Sequence, residues 1–177
     1  ARMLKDKGII VLREAAKILE KNYFGKIEFY LFGPIDNDNP SALTETELTN
    51  LNIKDYFIWK GNSDNIIQVL NQTDIYCLPT HYGEGIPKSI IEALAIGRPV
   101  ITTNIPGCNK CIIEGENGYL VPIKNAEKLA EKIEVLINNK TLREKMGKNS
   151  RALFENEFTL EKVVNRTFEL YDKVIKT

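Results

Sequence analysis

Short runs of consecutive apolar residues alternate along the chain with longer stretches in which apolar positions recur every three or four residues. In "DKGIIVLREAAKILEKN" (6–22), Ile9, Ile10, Leu12, Ala16 and Leu19 fall at helical spacing, which predicts an amphipathic helix. "IEFYLFG" (27–33) is a compact apolar run closed by glycine and predicts a buried strand. A polar helix over 41–52 follows, then a strand, "YFIWKG" (56–61), that again ends in glycine. A short helix over 64–72 leads to the strand "DIYCLPT" (74–80). "HYGEGIPKSIIEALAIGRP" (81–99) opens as a glycine-punctuated loop, enters a helix at Pro87 and leaves it at Gly97. "RPVITT" (98–103) predicts a strand, 107–114 a short helix, Asn117–Gly118 a turn and "GYLVP" (118–122) a last strand.

Beyond Pro122 only helical periods remain. "AEKLAEKIEVLINN", "LREKMGKNSRALFENE" and "LEKVVNRTFELYDKVIKT" are amphipathic segments, with Thr141 and Thr159 as expected N-caps of the last two. Apolar strands alternating with helices predict a doubly wound α/β domain, a parallel sheet covered on both faces with C-terminal helices added. Ligands of such folds bind outside the carboxyl ends of the strands. Gly33, Gly61 and the loop 79–86 are expected together on that edge.

Composition narrows the possibilities. A chain of 177 residues suits one domain with a substantial core. Lys plus Arg and Asp plus Glu both number 24, so nothing in the net charge favours nucleic acid or anionic lipid. No apolar run approaches the roughly 20 residues that span a bilayer. The chain begins "ARMLKDKG" without an initiator Met, so the start reads as cut and the targeting of a precursor stays open. Three cysteines, Cys77, Cys108 and Cys111, favour reduced thiols in a cytoplasmic setting. Cys108 and Cys111 form a single CxxC beside the chain's one histidine, His81; packing is preferred there over a zinc or redox site.

The candidate chemistry lies at the opening of the 87–97 helix. Free N–H groups and the helix dipole make such an end an anion site, although Pro87 supplies no N–H. Glu92 stands five residues along from Pro87, about 7–8 Å at 1.5 Å per residue. Its carboxylate there could accept ribose hydroxyls while phosphate sits at the helix start. Glu84, before the helix, could do the same for a second polyol. Against this, Lys88 and Glu92 at i,i+4 also read as a surface ion pair, Glu84 as a solvated loop acid and His81 as a polar loop residue. Rival motifs are missing: "GEGIPK" has Lys where a G-x-G-x-x-G ends in Gly, no G-x-x-x-x-G-K-[ST] occurs, and no nucleophile elbow accompanies His81.

"GEGIPKSIIEALAIGRPVITTNIPG", with Glu84 and Glu92 in this spacing, resembles the donor-binding motif of retaining family 4 glycosyltransferases. "ARMLKDKG" is similar to that family's first donor-domain motif, an Arg followed by Lys–Gly, and "NGYLVP" with the closing helices continues the likeness over essentially the whole chain. The resemblance implies a Rossmann-like domain, one half of a GT-B fold. Residues 1–177 would be the nucleotide-sugar (donor) half, with the N-terminal acceptor half absent. Arg2 and Lys7 match the cations on the donor diphosphate. Glu84 matches the acid on the sugar hydroxyls, and Glu92 the acid on the ribose. Gly83, Gly85, Ile86, Pro87 and Lys88 match the loop facing phosphate and sugar. Gly33, Lys60 and Gly61 match walls around the nucleoside. One departure is Lys110 in "PGCNKC", where many members carry Glu.

The implied reaction moves a hexosyl group from a nucleotide sugar, a UDP-sugar for preference, to a glycan or lipid-linked acceptor in polysaccharide biosynthesis. Arg2, Lys7 and the helix dipole would stabilise the departing diphosphate, and Glu84 would orient the sugar. No metal or cofactor is expected, and no Asp–x–Asp run is expected beside the site. The resemblance places the enzyme in the cytoplasm, the full-length form able to lie peripherally on the inner face of the plasma membrane. The isolated domain is expected to bind donor weakly and transfer nothing. A GT-B nucleotide-sugar epimerase and a non-catalytic nucleotide-sugar binding module stand as alternatives.

Overall fold

The computed structural model describes residues 1–83 and 85–175. Helix α1 (Ile9–Tyr23) precedes strand β1 (Phe29–Leu31), and α2 (Glu45–Leu51) precedes β2 (Phe57–Trp59). Then come α3 (Ile66–Asn71), β3 (Tyr76–Leu78), α4 (Lys88–Ala95), β4 (Val100–Thr103) and β5 (Gly118–Val121). Helices α5 (Ala126–Ile137), α6 (Lys140–Glu157) and α7 (Leu160–Ile175) close the chain. Every strand pair is parallel: β1 with β2, β3 with β4, and β4 with β5.

The two faces of the sheet can be read from β4. Val100 packs in one apolar cluster with Ile90, Leu94 and Leu78, whereas its neighbour Ile101 packs in the other with Leu12, Leu19, Leu129 and Ile133. Successive side chains of a strand point to opposite faces, so α1 and α5 cover one side and α4 the other. The α/β architecture with parallel strands and C-terminal helices is therefore as expected. The strands are shorter than the apolar runs, and the described ladders form a two-stranded and a three-stranded set, not one continuous sheet.

Several boundaries differ from expectation for local reasons. The 6–22 helix is divided at Gly8, whose φ of 74° leaves the helical region. A 3₁₀ turn (Lys5–Lys7) precedes the break and α1 follows it. Over 107–114 only a 3₁₀ turn forms, Asn109–Cys111. Pro87 is the N-cap of α4, in extended conformation, not its first helical residue. Thr141 is not the cap of α6: Asn139 accepts from the Leu142 N–H at 2.9 Å, which places Thr141 inside the first turn. Thr159 does cap α7, its hydroxyl accepting from the Lys162 N–H at 3.4 Å.

The end of α4 is held against α6 where Gly97 and Gly147 both lack side chains. A Cβ at Gly147 would collide with the Gly97 carbonyl, so the two backbones meet directly there. Arg151 adds hydrogen bonds to the Ala95 carbonyl and to Glu155. Among the described residues no helix is long and apolar enough to cross a membrane.

Candidate functional site

A cavity of about 1020 Å³ runs along β1 and β3, from Gly25–Glu28 and Gln72–Asp74 at their amino ends to a mouth at their carboxyl ends. Its mouth is lined by Arg2, Lys7, Pro87, Lys88, Ser89 and Glu92. The N-terminal turn, the first element of the chain, and the start of α4, which follows β3, thus share one opening although they lie far apart in the chain. The first bonds inside α4 are those of Ile90 and Ile91 to the Pro87 carbonyl, at 3.0 and 3.3 Å. The N–H groups of Lys88 and Ser89 precede them and stand at the positive end of the helix.

Charges of both signs meet at this mouth. Arg2 is paired with Asp36, Nη1 to Oδ2 at 2.6 Å. Lys88, almost fully exposed, lies 3.8 Å from Glu92, which is about a third exposed. That separation is long for a hydrogen bond and leaves the Glu92 carboxylate as the principal acceptor on the helix wall.

The structure brings together Arg2, Lys7, Pro87, Lys88 and Glu92 from the expected set. Gly33 and Gly61 also meet at the carboxyl edge, where the Gly33 N–H donates to the Gly61 carbonyl at 2.8 Å. Lys60 stands beside them with its ammonium 4.8 Å from the centre of the Tyr30 ring, and Tyr30 lines the cavity. Gly83, Gly85 and Ile86 are exposed on the loop between β3 and α4, away from the cavity wall. Glu84, the expected sugar-contacting acid, lies outside the described residues.

Sequence reasoning missed two acids. Asp6 ties the end of β3 to the N-terminal turn: it accepts from the Ser41 hydroxyl at 2.8 Å, its carbonyl accepts from the His81 N–H at 2.9 Å, and its carboxylate is 3.5 Å from His81 Nε2. His81 is thereby positioned at the loop entrance, with its buried Nδ1 lacking a partner among the described residues. Asp36 is the second, and it corrects an expectation. It belongs to an Asp36–Asn37–Asp38 run, so an Asp–x–Asp does adjoin the site. Its oxygen is engaged by Arg2, and Asp38 is exposed. The only signal for Asp36 was its place shortly after a strand-ending glycine.

The CxxC packs in the interior. Cys108 and Cys111 are both fully buried as free thiols, and burial, with Cys108 adding to it, pushes Cys111 up to about 12. A redox pair requires the opposite shift. Among the described residues no group of three or more His, Cys, Asp or Glu side chains is placed to hold a metal ion.

Fold and site together define a parallel α/β domain with an open helix start and an acid on the same wall at its carboxyl edge. The model of the family of glycosyl transferases group 1 matches residues 1–153, and the chain belongs to that family. It is 32% identical over 176 residues to the capsular polysaccharide biosynthesis glycosyltransferase CapM of Staphylococcus aureus, covering 99% of this chain and 45% of that protein. It is 34% identical over 176 residues to an N,N'-diacetylbacillosaminyl-diphospho-undecaprenol alpha-1,3-N-acetylgalactosaminyltransferase of Campylobacter jejuni, covering 99% and 44%. Among solved structures, a glycosyltransferase from Rickettsia africae superposes with a TM-score of 0.86 at 27% identity, over 100% of this chain and 47% of that one. Staphylococcus aureus TarM, in a complex containing UDP, superposes with a TM-score of 0.83 at 25% identity, over 97% and 34%. The fold is thus the Rossmann-like domain of GT-B glycosyltransferases, and the chain spans less than half the length of the curated relatives it matches.

Proposed function

We propose that this domain is the donor-binding half of a retaining family 4 glycosyltransferase. The observation that carries the reading is the shared mouth: Arg2, Lys7, the start of α4 and Glu92 line one cavity at the carboxyl edge. A donor diphosphate at that mouth would draw Arg2 from Asp36 and take the unused N–H groups of Lys88 and Ser89. Glu92, on the helix wall beside it, would accept the ribose hydroxyls. UDP is the preferred nucleotide because TarM, similar in fold and sequence, is known in a complex with it.

In the transfer step the bond from the anomeric carbon to the diphosphate oxygen breaks and a bond to the acceptor oxygen forms on the same face. The acceptor's proton passes to the departing phosphate. Negative charge grows on that phosphate in the transition state, so Arg2, Lys7 and the helix dipole lower the barrier and do more than bind. Glu84 is assigned to the sugar hydroxyls, orienting the hexosyl group. A preceding domain would present a glycan or lipid-linked acceptor in the cytoplasm or at the membrane's inner face, and the isolated domain would therefore transfer nothing.

Calorimetry with UDP, GDP and ADP, and with their sugars, tests the reading. UDP is expected to bind, and Glu92→Gln to weaken it by about 1.5–3 kcal/mol, roughly ten- to a hundredfold, as for a lost charge-assisted hydrogen bond. Glu84→Gln is expected to spare UDP binding and to lower transfer by the full-length protein. An unchanged UDP affinity in Glu92→Gln would leave that acid as half of an ion pair with Lys88 and remove the site. Epimerised free donor from the full-length protein would favour the epimerase, and binding without turnover the non-catalytic module.

A further inference from the structure

We propose that the cleft between the end of α4 and the first turns of α6 is a second anion site, built for a phosphate group and separate from the donor mouth. The sheet sets its position. Asp74 stands just before β3 and Arg98 and Pro99 just before β4, so the cleft opens at the amino ends of these strands. Lys88 and Glu92 lie at the opposite edge. The cleft measures about 470 Å³. Where Gly97 and Gly147 meet backbone to backbone it has no central side chain, and Arg98, Lys140, Arg143, Lys148 and Arg151 line its walls. Four of these cations come from α6, where spacings of three, four and five residues keep them toward one face.

Three of the cations are fixed in place by helix ends. Arg98 Nη2 donates to the Asn71 carbonyl, the last of α3, at 3.0 Å. Arg143 Nη1 donates to the Leu136 and Ile137 carbonyls of α5 at 2.6 and 2.9 Å, and Arg151 Nη1 to the Ala95 carbonyl of α4. Capping by itself does not account for the charge. A helix end carries only about half a negative charge, against one full positive charge per arginine. Nor do the acids make up the difference. Glu144 pairs with Lys140 and Glu155 with Arg151. Among the described residues Arg98, Arg143 and Lys148 have no ion pair. Asp74, the other acid on the wall, is exposed and likewise unpaired.

Arg98 supplies the observation that points to a ligand. Its Nε is buried, and among the described residues no acceptor meets it. A buried N–H of a charged group without an acceptor is unfavourable, and a bound anion is one of the few partners that would satisfy it. The chemistry of the walls selects the anion. Anchored arginines present planar sets of N–H donors, which suit the several oxygens of a phosphate, and the exposed Lys148 adds a mobile charge at the rim. A nucleoside fits poorly, because Ile96 and Pro99 are the only large apolar side chains on the wall. The same phosphate chemistry belongs to a free phosphorylated molecule and to a lipid headgroup.

The test titrates the full-length protein with inorganic phosphate at fixed pH and ionic strength, following the Arg98 Nε–H resonance and the melting temperature. The resonance is expected to shift and saturate. Lys148→Glu should weaken phosphate binding about tenfold, whereas Lys162→Glu, the same charge change on α7 outside the cleft wall, should alter it less than about twofold. Asp74→Asn should tighten binding, the opposite sign from the same wall. Arg98→Lys keeps the charge but loses the planar donors and should weaken binding; if that variant does not fold, the surface changes at Lys148 and Asp74 carry the test. Vesicles of phosphatidylglycerol separate the two sources. A headgroup site predicts that the protein sediments with them and that Lys148→Glu reduces this; a site for free phosphate predicts no sedimentation. An unshifted Arg98 resonance, or equal phosphate affinity in Lys148→Glu and Lys162→Glu, would overturn the proposal. Lys148→Glu should leave UDP affinity unchanged, which keeps this result apart from the donor-site assignment.

Discussion

Helices α1 and α7 carry the same kind of pattern and meet opposite fates. In α1 the apolar stripe Ile9, Leu12, Ala15, Ala16 and Leu19 is buried against α5 and the sheet. In α7 the stripe Leu160, Val164, Phe168, Tyr171 and Ile175 is exposed, Leu160 and Ile175 about four-fifths so. Periodicity states that a face must be covered to contribute; it does not state by what. The lesson is that a helical period predicts conformation in both helices but core membership only in one.

Truncation within each stripe should expose the contrast most strongly. Leu19→Ala, at a site 3% exposed, is expected to cost roughly 2–5 kcal/mol in urea denaturation, the price of lost burial and a cavity. Phe168→Ser in α7 should shift stability by less than about 0.5 kcal/mol. Equal losses would mean that α7 is covered in solution. A smaller effect sharpens the same point where backbones, not stripes, meet: Gly147→Ala should cost about 1–3 kcal/mol by forcing α6 off the Gly97 carbonyl, whereas a glycine facing open solvent would tolerate Ala.

A loss at the low end of the range for Gly147→Ala is expected where a helix is held at its end. In α2 the Thr44 hydroxyl accepts from the Glu47 N–H at 3.2 Å while the Glu47 carboxylate accepts from the Thr44 N–H at 2.8 Å. Thr44→Ala should cost about 1 kcal/mol. The bonds from Thr44, first the backbone one, hold Glu47 below its ordinary 4.5. A depressed carboxyl stabilises the fold above its unfolded value, and that contribution is lost as pH falls through the lower folded one. Stability titrated from pH 6 downward should therefore lose part of its acid dependence in Thr44→Ala. An unaltered profile would show the cap to be unformed in solution.

Much of the fold was legible because each element announces itself locally. The apolar runs located all five strands, since a strand buried on both faces needs no polar alternation. Helix ends were less legible. Thr141 and Asn139 are both competent caps two residues apart, and the structure uses the earlier one. The division at Gly8 was hidden because glycine permits a break without requiring it. Within the site, Arg2, Lys7, Lys88 and Glu92 were legible from motif and spacing. Asp6 and Asp36 were not, because an acid in a loop carries no mark of the strand end it will meet.

The sequence by itself determined the element types, the parallel α/β class and the helix start that places Lys88 and Glu92 one turn apart, for these depend on period and on neighbours within a few residues. Only the tertiary structure decided that Lys7 and Glu92 share one mouth and that Asp36 occupies Arg2. Those relations join residues 34 to 85 positions apart, where chain connectivity sets no distance and the packing of α1 and α4 around the strand ends does.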